Sequence, residues 1–236
     1  MGECETMKMA VATVFVNGLF NPKSEEVWEK HQKRLEGIFE CKAFHVHNPT
    51  LATELSMEKL TNPTAKFGAS MFALGAMASM AYDAYQGTDY TTKAVGITMD
   101  GVKSNLEKQS KSVAQKIEDE VDTLLTGKPD IKKINLVGHS HGGWSTAVFI
   151  QQKHAHRLAL KHGVTFNVVI LGCPVLVQPG AGVSTLVQLH NKLDPVSLRY
   201  ADKTAIGKSN EVVSAQEAPY HECTKYLDWL EAHLKT

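Results

Sequence analysis

The sequence has no excess of charge of either sign. Its 236 residues include 25 lysines and arginines and 25 aspartates and glutamates, so the formal net charge is zero. Nucleic-acid binding depends on a basic surface that attracts phosphates, and this balance argues against DNA or RNA as the main partner. A hydrophobic content of 43% and a charged content of 21% are ordinary for a globular protein and exclude a disordered chain.

Cysteine is also scarce, with four residues at positions 4, 41, 173 and 223. Their spacing matches neither a C-x-x-C pair nor a zinc ribbon, so no cysteine-based zinc site is predicted. Disulfide-stabilised domains of secreted proteins carry cysteine much more densely. We therefore interpret the four residues as free thiols of a protein in a reducing compartment.

Long apolar segments are missing as well. The N-terminal residues have no apolar stretch after a basic start, which predicts no Sec signal peptide and a cytoplasmic protein. Export by a route that needs no signal stays open. An uncharged segment at 67–82 has 16 residues rich in Gly, Ala, Ser and Met, whereas a membrane-spanning helix needs about 20. Peripheral contact with a membrane through residues 65–84 is the remaining alternative.

Apolar runs and helical periodicity alternate along the chain. Strands are predicted at 9–16, 42–47, 133–138, 165–171, 185–190 and 211–214, and helices at 24–39, 102–125, 142–160 and 221–235. This order predicts an α/β fold, with a mostly parallel sheet of about six strands and helices on both faces. We expect a single domain over 1–236. Residues 50–101 form an insertion after the second strand, a candidate lid or cap.

The most specific motif is Gly138-His139-Ser140-His141-Gly142, which follows an apolar strand and precedes a helix. A G-x-S-x-G sequence in this context is typical of a nucleophile elbow, where a serine is held in a strained backbone turn. Side chains at positions 138 and 142 are expected to collide with neighbouring elements. The following helix directs the positive end of its dipole at a developing negative charge.

A serine nucleophile needs a base, and the base needs an acid that orients it. Asp194 falls just after the strand at 185–190, and His221 lies immediately before the last helix. The predicted catalytic triad is therefore Ser140, Asp194 and His221. Asp202 is the alternative acid, and the alternative bases are His190 and His233.

With these residues, the sequence resembles the α/β-hydrolase family, on its serine esterase and lipase side. The motifs are the G-H-S-H-G elbow, the aspartate in K-L-D-P-V and the histidine before the terminal helix. The resemblance covers about 10–235 without the insertion. It implies that Ser140 is the nucleophile, that His221 is general base and then general acid, and that Asp194 orients the imidazole. Only six strands are counted, so the family's first two are missing.

The resemblance also implies an oxyanion hole made of two backbone N–H groups. One belongs to His141 and the other to Leu19, in the loop after the first strand, where Gly18 lets the backbone approach the substrate. Asn17 occupies a position where the family often has histidine. Its side chain either orders this loop or contacts the reaction intermediate, and the sequence leaves both roles open.

The expected activity is therefore a serine hydrolase, a lipase or esterase that cleaves a small-molecule or lipid ester without a cofactor. If the insertion is a lid, its methionines would contact an acyl chain; these are Met71, Met77 and Met80. Histidine pairs at 45/47, 139/141 and 154/156 lack an acidic or cysteine partner at familiar spacing, so no metal is predicted. A thioesterase or amidase with the same triad, and a non-catalytic binding module, are the alternatives.

Overall fold

A computed structural model describes residues 10–18, 25–48, 99–173, 175, 177–190 and 223–234. These ranges contain five strands and five helices. In chain order they are β1 (Ala10–Val16), α1 (Glu25–Phe39), β2 (Ala43–Val46), α2 (Met99–Gly127), β3 (Ile131–His139), α3 (His141–Gln151), α4 (His154–His162), β4 (Thr165–Leu171), β5 (Val183–Leu189) and α5 (Cys223–Leu234).

The five strands form one parallel sheet in the order β2-β1-β3-β4-β5. Helices pack on both faces, because α2, α3 and α4 share one apolar core and α1 and α5 share the other. The predicted α/β class with a parallel sheet is confirmed. The sixth predicted strand, at 211–214, lies outside the described residues.

Strand residues alternate between the two cores, as the twofold periodicity of a strand requires. Val14 and Leu136 pack under the helices of one face, while Phe15 and Val137 pack under the helices of the other. All four side chains are at most 1% exposed. A strand that buries both faces has no polar side to display, which explains the continuous apolar runs in the sequence.

The connections change face between β1 and β3. The chain leaves β1 for β2 through α1, on one face, and leaves β3 for β4 through α3 and α4, on the other. Because β1 and β3 are neighbours, their carboxyl ends lie at the point where the strand order reverses. Ligands of open α/β sheets bind at such a point.

The predicted single helix over 142–160 is wrong. Two helices occupy this stretch, because Lys153 takes a left-handed conformation with a φ of 61°. The break reorients the chain so that His154 stacks on Phe149 with ring centroids 5.6 Å apart, and Leu158 enters the core. No glycine or proline marks the break in the sequence.

The insertion boundary also changes. Helix α2 begins at Met99, three residues earlier than predicted and within the range assigned to the insertion. Residues 50–98, with the three candidate lid methionines, lie outside the described residues. Among the residues that are described, no helix is both long and apolar enough to cross a membrane.

Two glycines differ in backbone conformation but have similar surroundings, because an added Cβ would touch nothing at either position. Substituting each by alanine therefore tests its backbone conformation alone. Gly163 ends α4 with a φ of 65°, so Gly163→Ala should lower the free energy of unfolding by about 1 kcal/mol. Gly37 lies on the exposed side of α1, so Gly37→Ala should raise it by about 0.5–1 kcal/mol. Urea unfolding measures the change in the free energy of unfolding for each variant. Changes of the same sign would contradict the backbone conformations described for the two glycines.

Candidate active site

Ser140 occupies the turn between β3 and α3. Its φ of 56° and ψ of −124° fall in a region that residues with a side chain rarely adopt. The Ser140 N–H donates to the Leu171 carbonyl at 2.8 Å, and the Ser140 carbonyl accepts from Gly143 N–H at 3.0 Å. The predicted sharp turn is therefore present, and hydrogen bonds to β4 and α3 hold it in its strained conformation.

The expected collisions at positions 138 and 142 are confirmed. A Cβ on Gly142 would meet the Val16 and Asn17 carbonyl oxygens, the latter at 2.6 Å. A Cβ on Gly138 would lie 2.7 Å from Thr146 Oγ1. In both cases the obstacle is backbone or a buried side chain, so only glycine allows the turn to pack this closely.

The loop after β1 also lies directly against the serine. A Cβ on Gly18 would be 2.8 Å from Ser140 Cβ, which places the Gly18 backbone in contact with the turn. The approach of the Gly18 backbone to a substrate, which the resemblance implies, stays a prediction. Leu19, the predicted second oxyanion donor, lies outside the described residues.

The side chain of Asn17 orders its own loop. Its Oδ1 accepts from His45 Nε2 and from the Asn48 N–H, each at 2.8 Å. Its Nδ2 donates to the carbonyls of Gly18, at 2.8 Å, and Asn48, at 3.2 Å. These four bonds use both lone pairs and both hydrogens of the amide. Of the two roles left open by the sequence, the structure therefore supports ordering of the loop.

Asn48 joins this loop to the elbow. Its Nδ2 donates to the Asn17 carbonyl and to His141 Nδ1, both at 3.0 Å. Only the amide nitrogen can donate to a carbonyl, so His141 Nδ1 accepts a hydrogen bond. In the neutral ring the proton is therefore on Nε2, which donates to Ser110 Oγ at 3.0 Å.

Asn48 and Ser110 are not among the site residues predicted from the sequence. Asn48 follows β2, so its position at the carboxyl end of a strand was a usable signal. Ser110 is fully buried on α2, on the same helix face as Val113 and Ile117, where it interrupts an apolar stripe. A small polar residue inside such a stripe indicates a buried hydrogen-bond partner.

The elbow lies in a largely dry environment. Ser140 is 9% exposed, and His139 and His190 beside the carboxyl ends of β3 and β5 are both buried. Helix α3 begins directly after Ser140 and has no acidic residue in its first turn to neutralise its positive end. Charge that develops near Ser140 is therefore weakly screened by water.

Two further side chains border the elbow. A Cβ on Gly143 would meet the Cys173 side chain, so the thiol packs against the first turn of α3. Burial raises the pKa of Cys173 to about 12, which keeps the thiol protonated and unreactive. Tyr226 of α5 packs on His139, with ring centroids 6.0 Å apart, and would touch a Cβ on Gly172.

The predicted acid and base of the triad, Asp194 and His221, lie outside the described residues, as does the alternative acid Asp202. Of the alternative bases, His190 follows β5 directly and is 3% exposed, while the side chain of His233 is outside the described set. The structure thus places four residues at the carboxyl ends of the strands: His139, Ser140, His141 and His190. The roles of acid and base stay predictions.

In the described part of the chain, no group of three or more His, Cys, Asp and Glu side chains could hold a metal ion. His45 and His47 do lie together on one side of β2, with ring centroids 5.8 Å apart. However, His45 is stacked on Trp28 at 4.6 Å and hydrogen-bonded to Asn17. These contacts give the His45 ring a structural role.

No protein-family model matches the sequence, and no curated protein is significantly similar to it. The function is therefore inferred from the residues around the elbow.

Backbone strain at Ser140 leads to a prediction about stability. Both Ser140→Gly and Ser140→Ala remove the hydroxyl, but only glycine relieves the positive φ, which costs about 1–3 kcal/mol. Glycine also makes the unfolded chain more flexible, and this added entropy lowers the free energy of unfolding by roughly 0.5–1 kcal/mol. We expect Ser140→Gly to have a free energy of unfolding about 1 kcal/mol above that of Ser140→Ala in urea titrations. The reverse order would mean that the turn is not strained.

The His45 ring leads to a prediction about pH. Burial, followed by the charges of His47, Lys116 and His31, lowers the pKa of His45 to about 4. Between pH 6.5 and pH 4 the unfolded chain therefore binds more protons than the folded protein, so the free energy of unfolding falls as the pH falls.

His45→Gln keeps a donor for Asn17 Oδ1 but cannot titrate. In that variant, the slope of the free energy of unfolding between pH 4 and 6.5 should decrease by up to about 1 kcal/mol per pH unit, since the ring is partly exposed. Urea unfolding at several pH values measures this slope. The other histidines are present in both proteins, so an unchanged slope would contradict the prediction.

Proposed function

We propose that this protein is a serine hydrolase that cleaves carboxylic esters through an acyl-enzyme intermediate, with Ser140 as its nucleophile. The observation that carries the proposal is the conformation of Ser140. A serine with a φ of 56° stands between a central parallel strand and a buried helix, at the point where the strand order reverses. Strain of this kind is concentrated at functional sites.

The proposal includes an α/β-hydrolase-like fold. In that fold the nucleophile stands on a strand-to-helix turn, one oxyanion donor follows the nucleophile, and a second comes from the loop after an earlier strand. Three features support it here: the turn at Ser140, the close approach of Gly18 to that turn, and the parallel sheet. The order Ser140, Asp194, His221 along the chain agrees with the family pattern.

The chain length is compatible with an acid and a base that reach the elbow. His221 precedes Cys223 by two residues, a span of at most about 7 Å. Helix α5, which begins at Cys223, contacts His139 through Tyr226. Asp194 follows His190 by four residues, at most about 14 Å along the chain.

In the proposed reaction, Ser140 Oγ attacks the ester carbonyl while His221 takes its proton. The carbonyl oxygen becomes an oxyanion, which the backbone N–H groups of His141 and Leu19 stabilise. His221 then returns the proton to the leaving alcohol, and the acyl group stays on Ser140. A water molecule, deprotonated by His221, releases the acid and restores the serine, with Asp194 orienting the imidazole throughout.

Hydrolysis of p-nitrophenyl esters, with acyl chains from two to sixteen carbons, tests the proposal. Ser140→Ala should lower kcat by roughly 10³–10⁶-fold at the best chain length, because the nucleophile is lost. Ser112, exposed on α2, provides the matched control, and Ser112→Ala should keep wild-type activity. The preferred chain length separates an esterase from a lipase, and thioester and amide analogues identify those alternative activities.

Labelling with a fluorophosphonate probe gives a second readout that needs no correct substrate. The probe should modify Ser140 in the wild type and in Ser112→Ala, as detected by peptide mass spectrometry, and leave Ser140→Ala unlabelled. Turnover that persists in Ser140→Ala would contradict the proposal. So would an unreactive Ser140 together with no hydrolysis across the panel, and the binding-module alternative would then take its place.

A further inference from the structure

We infer that Asn48 is a positioning residue for the reaction, because it holds together the two backbone segments that supply the oxyanion donors. This inference depends on the proposed function. The donors come from different parts of the chain, the loop after β1 and the first residue of α3. Oxyanion stabilisation requires donors that are fixed before the reaction, and a displacement of about 1 Å can cost on the order of 100-fold in rate.

Asn48 contacts both segments with one amide group. One Nδ2 hydrogen is donated to the Asn17 carbonyl, in the loop that continues into Gly18. The other is donated to Nδ1 of His141, the residue directly after the nucleophile. The main chain of Asn48 contributes two more bonds to the Asn17 side chain. Asn48 is fully buried, so water does not compete for these bonds.

Ser110 fixes the other side of the same ring. With Nδ1 of His141 accepting from Asn48, its Nε2–H donates to Ser110 Oγ on α2. The ring thus has a bond at each nitrogen, which sets both its rotation and its tautomer. Because the ring and the backbone N–H belong to the same residue, fixing the ring restrains the peptide that bears the proposed donor.

The arrangement needs the chemistry of asparagine as well as its size. Aspartate has nearly the same shape, but it would place an oxygen against the Asn17 carbonyl, and both groups accept hydrogen bonds. Asn48→Asp should therefore impair the reaction about as much as Asn48→Ala. A residue with only a structural role would lose stability in both variants but keep the kcat of the folded protein, because burial of a carboxylate and loss of packing act on folding.

Asn135 provides a matched control for the loss of a buried amide. It is 5% exposed on β3 and its side chain hydrogen-bonds Asn167 and Thr13. It precedes Ser140 by five residues, about 16 Å along the strand. Asn135→Ala should therefore lower stability without changing the catalytic constants of the folded protein.

The experiment measures kcat and KM on the best p-nitrophenyl ester for wild type, Asn48→Ala, Asn48→Asp and Asn135→Ala, with urea unfolding of each. Both Asn48 variants should lose about 100-fold in kcat while KM stays near the wild-type value, because the lost interaction acts in the transition state. Asn135→Ala should keep both constants. A higher KM with unchanged kcat, or equal kcat in Asn48→Ala and Asn135→Ala, would overturn the inference.

If the Asn48 variants fail to fold, Ser110→Ala provides the test. It removes the acceptor of His141 Nε2–H but leaves every bond between Asn17 and Asn48 in place. We expect about a tenfold loss of kcat, consistent with one missing hydrogen bond to the ring. Wild-type kcat in Ser110→Ala would overturn the inference.

A spectroscopic readout separates this inference from the proposed function. The nitrogen NMR signals of the His141 ring, assigned by comparison with His141→Gln, should show a neutral ring protonated on Nε2 in the wild type. A proton on Nδ1 would overturn the inference even in an active enzyme. If the expected tautomer is seen but Ser140 is unreactive and no ester is cleaved, the proposed function fails while the contact between the two segments stands.

Discussion

The carbonyl oxygens of Val16 and Asn17 lie against Gly142, and Gly18 lies against Ser140. This contact between the carboxyl end of β1 and the turn after β3 is the constraint on which the rest of the site depends. It brings two chain segments together at the reversal of the strand order, and it requires glycine at positions 18 and 142. A single added methyl group at 142 would push the segments apart and change the turn that holds the serine.

Buried polar groups maintain this contact at a location where unpaired ones would be costly. Asn17, Asn48, Ser110 and His141 are each at most 3% exposed, and their hydrogen bonds run from β2 through the loop after β1 to α3 and α2. Among the described residues, Asn48 Oδ1 has no hydrogen-bond partner. The bonds that the network does make are buried, so they favour one arrangement, and breaking them destabilises the fold. Stability and preorganisation of the candidate site thus have the same source.

Much of the fold could be predicted from local patterns. Apolar runs located the five described strands to within two residues. The signal is strongest for the central strands β1, β3 and β4, which are buried along most of their length. The glycines of the elbow were predictable since their spacing is itself the requirement of the turn. The break at Lys153 was not, because packing of His154 and Leu158 imposes it without a local signal. The partners of Asn17 and His141 depend on contacts between distant segments, which the order of residues along the chain does not specify.

The complete burial of helix α3 affects how the site unfolds. None of its residues from 141 to 150 is exposed, so the helix that carries the proposed donor is enclosed by the sheet on one side and by α2 on the other. Backbone amides in such an element exchange with solvent only when the cooperative unit around them opens. We therefore expect the geometry of the turn at Ser140 to be lost in the same transition as the fold of the domain.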